Sequence, residues 1–98
     1  MDVVDRLQGV EFEWDENKAA VNLQKHGVTF EEAAEAFFDP IHDIGDASVL
    51  GEYREYIIGY NFSGNLLLTI YTERRGRTRI ISARPATRPE IKLYERLR

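Results

Sequence analysis

Residues 55–84 read EYIIGYNFSGNLLLTIYTERRGRTRIISAR, and this stretch decides the fold. Three runs rich in β-branched, leucine and aromatic residues, Glu55–Phe62, Leu66–Glu73 and Arg77–Arg84, are separated by the short polar segments SGN and RRG. Such runs predict strands, and turns this short place consecutive strands side by side in antiparallel directions. The middle run contains LLLTI, which is apolar at both odd and even positions. We therefore expect it to be covered on both faces.

The residues before this sheet predict one strand and two helices. In Val10–Trp14 apolar and acidic residues alternate, which indicates a strand with one buried face. Asp15 is placed to cap a helix that ends at Gly27. Thr29–Glu32 forms a capping box for a second helix, which we expect to stop near Pro40.

Three further segments complete the predicted order of elements. Residues 1–9 are expected to be a flexible lead-in, and Ile41–Ile44 is a short candidate strand. Thr87–Glu90 is another capping box, with Pro89 in the first turn, and it opens a C-terminal helix. The order is β-α-α-β-β-β-β-α. It predicts a single α+β domain over residues 1–98, with an antiparallel sheet and helices packed against it.

Length and composition exclude several classes of protein. The chain has 98 residues, enough for one core and one site. It contains no cysteine, so it forms neither a disulfide scaffold nor a thiolate zinc site, and its two histidines, His26 and His42, cannot build a metal centre alone. No apolar run approaches the roughly 20 residues that cross a bilayer, and the first residues lack signal-peptide character. We expect a cytoplasmic protein that needs no metal or cofactor and has no membrane partner.

Charge is distributed unevenly along the chain. Residues 1–53 contain 13 acidic and 3 basic side chains, whereas residues 54–98 contain 4 acidic and 10 basic ones. Nine of those ten are arginine, whose guanidinium makes forked contacts with phosphate. The second half therefore suggests an anionic partner, and a merely solvated charged surface is the alternative.

The arginines concentrate around the last predicted hairpin. Residues 73–88 contain six arginines and one acid. Regular alternation places Arg77 and Arg79 on one face of the strand and Arg84 on the other, beside Ile80. A mostly buried guanidinium must be paired or contact an anion, which favours a functional role for Arg84. The alternative is that two or three of these arginines pair with the acidic first half.

This set of residues suits metal-free cleavage of RNA. The reaction needs a base for the 2′-hydroxyl proton, an acid for the leaving 5′-oxygen and cations for the charge that develops on the phosphate. His26 and Glu73 are the candidates for acid and base, because histidine titrates near neutral pH and Glu73 lies among the arginines. The alternative for Lys25 and His26 is structural, since cations in the last turn of a helix complement its dipole.

One tyrosine near the arginines is a candidate for RNA contact. Tyr71 shares a strand face with Glu73, and its ring could stack on an exposed base. Tyr53, Tyr56 and Tyr60 also fall in strand-like sequence, and we interpret them as core or sheet-face residues.

Five segments of the sequence, taken in order, resemble those of a known protein family. They are FEWD at 12–15, NLQKHGVTFEEA at 22–33, TER at 72–74, RIISAR at 79–84, and ATR at 86–88 continuing to YE at 94–95. Together, over about residues 11–96, they resemble the BrnT family of bacterial toxins. The resemblance implies a RelE-like fold, a ribonuclease that blocks translation, and neutralisation by a dimeric, DNA-binding antitoxin of the BrnA type, with two copies of this chain per complex. Lys25 and His26 match the family motif and gain weight as site residues.

We therefore predict a metal-independent endoribonuclease. His26 and Glu73 act as acid and base, and Arg79 and Arg84 stabilise the scissile phosphate. The residues predicted to hold the rest of the RNA are Lys25, Tyr71, Arg74, Arg77 and Arg88. Two rival functions stay open: a non-catalytic nucleic-acid-binding module within a repressor complex, and a protein-interaction module whose arginines meet an acidic partner.

Overall fold

The structure, a computed structural model, describes residues 1–97 as a six-stranded sheet with three α-helices. The strands are β1 (Asp2–Leu7), β2 (Val10–Asp15), β3 (Asp43–Asp46), β4 (Glu55–Tyr60), β5 (Leu66–Arg74) and β6 (Arg77–Pro85). The helices are α1 (Glu16–His26), α2 (Phe30–Glu35) and α3 (Arg88–Glu95), and a 3₁₀ turn at Ala36–Phe38 follows α2. The predicted α+β class is confirmed. The order differs in one respect, because α1 and α2 follow two strands rather than one.

The sheet is mixed, with the strand order β1-β2-β6-β5-β4-β3. Neighbouring strands are antiparallel except β2 and β6, which are parallel. The prediction of a wholly antiparallel sheet is therefore wrong at this pair. Short turns fix the relative directions of β4, β5 and β6, whereas β2 is joined to β6 through helices and three other strands, so no turn dictates its direction.

The first residues form an edge strand, so the predicted flexible lead-in is wrong. β1 pairs with β2 along its whole length, from Asp2 opposite Asp15 to Leu7 opposite Val10. The two residues between them, Gln8 and Gly9, have φ values of 50° and 81°, the left-handed conformation that a two-residue hairpin turn requires. Apolar contacts also hold this strand, because Val3 and Leu7 pack against the core.

The helix boundaries follow the capping signals of the sequence. The Asp15 side chain accepts a hydrogen bond from the Lys18 backbone N–H at 3.0 Å, and Gly27 ends α1 in the left-handed conformation at φ 70°. Capping boxes at Thr29 and Thr87 open α2 and α3. These predictions are confirmed because each cap is a local interaction between residues a few positions apart.

Two cores lie on opposite faces of the sheet. Leu67 belongs to the core beneath α1 and α2, while the next residue, Leu68, packs with Ile58 and with Tyr94 of α3. Consecutive residues of a strand point to opposite faces, so β5 is covered on both sides, as predicted. We call the two sides of the sheet the α1/α2 face and the α3 face.

A β-bulge in β6 changes which side chains share a face. Ile70 lies opposite Ser82 and Tyr71 lies opposite Ile80, so Ile81 has no opposite residue. As a result Ile80 and Ala83 both belong to the core of the α1/α2 face, each only 1% exposed. Arg84, opposite Leu68, therefore lies on the α3 face, and the prediction that it shares a face with Ile80 is wrong.

The side chain of Asn22 joins α1 to the edge of β6. Its amide donates to the carbonyl oxygens of Ala83 at 2.8 Å and Val28 at 3.0 Å, and its Oδ1 accepts from the Ala83 N–H at 3.1 Å. The pairing of β2 with β6 ends at Glu13 opposite Arg79, so this amide replaces a strand further along β6. The contact also places the last turn of α1 beside the C-terminal half of β6.

We predict that Asn22→Ala lowers the free energy of unfolding by about 2–4 kcal/mol, because it leaves three buried backbone groups without a partner. Gln24→Ala is the control, since Gln24 is exposed on the same helix and should change stability by less than about 0.5 kcal/mol. Urea unfolding of the two variants measures both values. Equal stability of Asn22→Ala and Gln24→Ala would contradict this role of Asn22.

Candidate nucleic-acid interface

A continuous groove runs between α1 and the α3 face of β6. It consists of two adjoining depressions of about 320 and 280 Å³, which share Lys18 and the bulge residue Ile81. The other residues of the first depression are Asn17, Val21, Asn22, Lys25, His26 and Ser82. The other residues of the second depression are Glu52, Tyr53, Arg54, Thr72, Arg74 and Arg79.

Three cations of the groove are not neutralised by the protein itself. Within residues 1–97, Lys18, Lys25 and Arg74 form no ion pair. Arg54 is paired with Glu52. Exposed, unpaired cations along a groove are the arrangement that contacts a chain of phosphates.

The two arginines at the start of β6 pair with the acidic N-terminal strands. Arg79 Nη1 lies 2.6 Å from the Glu13 carboxylate, and its two terminal nitrogens each lie 3.1 Å from Asp2. Arg77 Nε donates to Glu11 at 3.1 Å. The hydrogen bond from Arg79 holds the pKa of Asp2 below its usual range. For Arg77 and Arg79 the structure thus shows the pairing that the sequence left open as the alternative.

Arg84 forms an ion pair with Glu90 of α3. Its two terminal nitrogens donate to the two carboxylate oxygens of Glu90 at 2.7 and 2.8 Å. The same carboxylate completes the capping box with Thr87. The hydrogen bonds from Arg84 lower the pKa of Glu90 to about 2. Arg84 therefore joins β6 to the beginning of α3 and lines neither depression.

Glu73 and His26 are not brought together. Glu73 accepts a hydrogen bond from the Thr78 hydroxyl at 3.0 Å, beside the hairpin turn. His26, by contrast, lines a depression that includes Leu67, at the other end of β5. The six residue steps of extended strand from Leu67 to Glu73 span roughly 20 Å. Glu73 lines neither depression of the groove that His26 borders, so the structure does not place the two side chains around one site.

Tyr71 is a core residue rather than a surface for stacking. It is 5% exposed, and its ring centroid lies 4.9 Å from that of Phe37. This burial raises its pKa to about 12. The predicted stacking of Tyr71 on a base does not fit this position. Tyr53, interpreted from the sequence as a core or sheet-face residue, is instead 66% exposed and lines the groove.

Of the predicted RNA contacts, Lys25 and Arg74 line the groove, as do the predicted catalytic residues His26 and Arg79. Arg77 and Arg88 line neither depression, and Arg88 is exposed in the first turn of α3. Lys18 also lines the groove and was not predicted as a site residue. Its signal was present, because Lys18 and Lys25 lie seven residues apart, which is two turns of α1 on one side of the helix. No sequence pattern indicated that Tyr53 and Arg54 line the groove, because their positions depend on where the loop before β4 folds.

This α+β domain presents a row of unpaired cations and a histidine along one groove. These are the features of a small domain that contacts a phosphate backbone. The sequence model of the ribonuclease toxin BrnT of type II toxin–antitoxin systems matches residues 14–90. This chain belongs to the BrnT family of ribonuclease toxins.

One solved structure supports the fold. The 1.1 Å crystal structure of the Brucella abortus ribonuclease toxin BrnT matches with a TM-score of 0.52 and 23% sequence identity, over 76% of this chain and 94% of that chain. At this identity the likeness concerns the fold. No protein of curated function matches the chain significantly.

Two negative observations apply to residues 1–97. None of the helices there is long and apolar enough to span a membrane. That part of the chain also contains no group of three His, Cys, Asp or Glu side chains arranged to hold a metal ion.

We predict that Glu90→Gln lowers the free energy of unfolding by about 1–3 kcal/mol at pH 7, because it replaces a charged, two-point contact with Arg84. The carboxylate has a lowered pKa in the folded state, so its contribution is complete above its ordinary pKa of 4.5 and is lost as the pH falls towards about 2. Thermal unfolding between pH 2 and 7 measures this difference.

Glu95→Gln is the matched control for this experiment. Glu95 is exposed on the same helix and forms no ion pair within residues 1–97. We expect the control to be as stable as the wild type at every pH. A stability difference between Glu90→Gln and the wild type that persists unchanged at pH 2 would exclude the ion pair as its cause.

Proposed function

We propose that this chain is a metal-independent endoribonuclease of RelE-like fold that cleaves RNA in the cytoplasm and thereby inhibits translation. The observation that carries the proposal is the groove between α1 and β6, where His26 stands next to the unpaired cation Lys25. Lys18 and Arg74 extend the positive charge along the groove on either side of Ile81. Membership of a family of ribonuclease toxins supports the same reaction class.

The proposed reaction uses the ribose of the substrate as the nucleophile. His26 takes the proton of the 2′-hydroxyl, and that oxygen attacks the adjacent phosphorus. The bond to the 5′-oxygen breaks, which leaves a 2′,3′-cyclic phosphate and a 5′-hydroxyl. Water in the open groove protonates the leaving oxygen, and Lys25 stabilises the negative charge that develops on the phosphate.

The remaining cations have different parts in this proposal. Lys18 and Arg74 bind the flanking phosphates, because both are free of internal ion pairs within residues 1–97. Arg79 shares its charge with Asp2 and Glu13, so it supplies hydrogen bonds rather than net positive charge. Arg84 is a positioning residue that holds α3 through Glu90.

We predict that the purified protein cleaves labelled single-stranded RNA in EDTA, and that His26→Gln lowers the rate about 100-fold or more while RNA binding is retained. His42→Gln is the control, because His42 is exposed and, within residues 1–97, its ring bonds only to the backbone oxygen of Asp39. It should cleave at the wild-type rate.

The same assay separates the rival functions. RNA retention without cleavage by the wild type would favour a non-catalytic binding module, and neither retention nor cleavage would favour a protein-interaction module. Undiminished cleavage by a stable His26→Gln protein would remove His26 from the mechanism and leave it as a cation that complements the dipole of α1.

We also propose that a separate antitoxin of the BrnA type silences this chain by covering the groove. Three of the protein's own carboxylates, those of Asp2, Glu11 and Glu13, are bound to Arg77 and Arg79 and leave Lys18, Lys25 and Arg74 without an ion pair within residues 1–97. The antitoxin is proposed to be dimeric and DNA-binding, so two copies of this chain are carried in each complex. Its interface should bury about 1,200 Å² or more in total, as in other stable complexes.

Hydrogen exchange with and without the antitoxin tests this mode of inhibition. We expect amides of α1 and β6 to gain protection in the complex, because both elements border the groove. Protection confined to α3 and β3 would contradict inhibition by covering.

A further inference from the structure

We propose that the first depression of the groove is a binding site for one unpaired nucleobase, so that the protein engages single-stranded RNA. This inference rests on the proposed function and adds the form of the substrate to it. The depression is lined by apolar as well as polar side chains, in a groove that is otherwise strongly charged. Phosphates need only cations, so an apolar wall at this position indicates a second kind of ligand group.

Two independent features of the chain create this apolar wall. Val21 lies on α1 between Lys18 and Lys25 and is 61% exposed. Ile81 faces it from β6, at the β-bulge, where the extra residue is displaced from the regular pairing. Bulges are frequent beside functional sites because they redirect a side chain. The faces of a nucleobase are apolar enough to pack between two such aliphatic side chains.

The cations are spaced to hold the backbone on both sides of one nucleoside. Lys18 and Lys25 lie two turns apart on α1, about 10.5 Å along the helix axis. Val21 lies between them on the same side of the helix, because residues at i, i+3 and i+7 share a face. A base that enters the depression therefore has its 5′ phosphate near one lysine and its 3′ phosphate near the other.

Polar groups at the rim are free to contact the edge of the base. Within residues 1–97, the Ser82 hydroxyl and the Asn17 amide form no hydrogen bond. An amide offers both a donor and an acceptor, and a hydroxyl offers either, so the pair can satisfy the polar edge of a base. In a duplex these edges are paired and the bases are stacked, which prevents entry into the depression.

The test compares two trinucleotides that carry the same charge. One is UUU with 2′-deoxy first and central residues, so that neither phosphate has an adjacent 2′-hydroxyl to attack it; the other is the same trinucleotide with an abasic deoxyribose at the centre. NMR titration at low salt gives the dissociation constants and the residues whose signals move. We expect the abasic probe to bind about tenfold more weakly, and the Val21 methyl signals to move only with the complete probe.

Val21→Gln is the informative variant, because it replaces the apolar wall by a neutral polar chain at an exposed helical position. Leu23→Gln makes the same change at a residue 48% exposed on another side of α1. We expect Val21→Gln to bind the complete probe as weakly as the abasic probe, and Leu23→Gln to behave as the wild type. Equal affinities of the wild type for the two probes would overturn the base site and leave the depression to an apolar side chain of a protein partner.

These outcomes are separate from the fate of the proposed ribonuclease. Cleavage of RNA in EDTA by a protein that binds both trinucleotides equally would overturn the base site alone. If the wild type binds neither probe and does not cleave RNA, both proposals are overturned together. Tighter binding of a 12-base-pair RNA duplex than of either of its single strands would also overturn the requirement for an unpaired base.

Discussion

The contact between the Asn22 amide and the backbone of Ala83 is the constraint on which the functional region depends. β2 pairs with β6 for only a short distance, which leaves the second half of β6 without a strand on that side. A buried strand edge with unpaired N–H and C=O groups costs several kcal/mol, and Asn22 removes that cost with a side chain that has one donor group and one acceptor. Because the contact fixes both the position and the rotation of α1, it also decides which helical residues face β6.

The groove is a consequence of this arrangement. If β2 continued to pair with the second half of β6, a strand would fill this edge. A helix lies there instead, and it leaves a channel between two elements of different shape. The bulge at Ile81 contributes to the channel, because it places Ser82 on the α3 face, and both Ile81 and Ser82 line the first depression. Cations on one side of α1 then border the channel, together with Arg74 and Arg79 of the arginine-rich hairpin.

Part of the charge asymmetry of the chain has an internal explanation. Strands β1 and β2 supply Asp2, Glu11 and Glu13, and β6 supplies Arg77 and Arg79, so opposite charges meet where these strands are neighbours. Arg84 and Glu90 repeat the pattern at the start of α3. Among the cations that form no ion pair within residues 1–97, three border the groove, and two of these, Lys18 and Lys25, come from the acidic half of the sequence. A count of charges by sequence position could not have separated the cations that form internal ion pairs from those that do not.

The sequence by itself determined the local structure: the ends of the helices at Asp15, Gly27, Thr29 and Thr87, the three antiparallel strands of residues 55–84, and the double coverage of β5. Each of these depends on residues that are neighbours along the chain or on a regular alternation. Only the tertiary structure decided the parallel pairing of β2 with β6, the bulge at Ile81, the burial of Tyr71 and the separation of Glu73 from His26. These depend on how distant segments pack, and one extra residue in β6 is enough to reverse the face of every side chain that follows it.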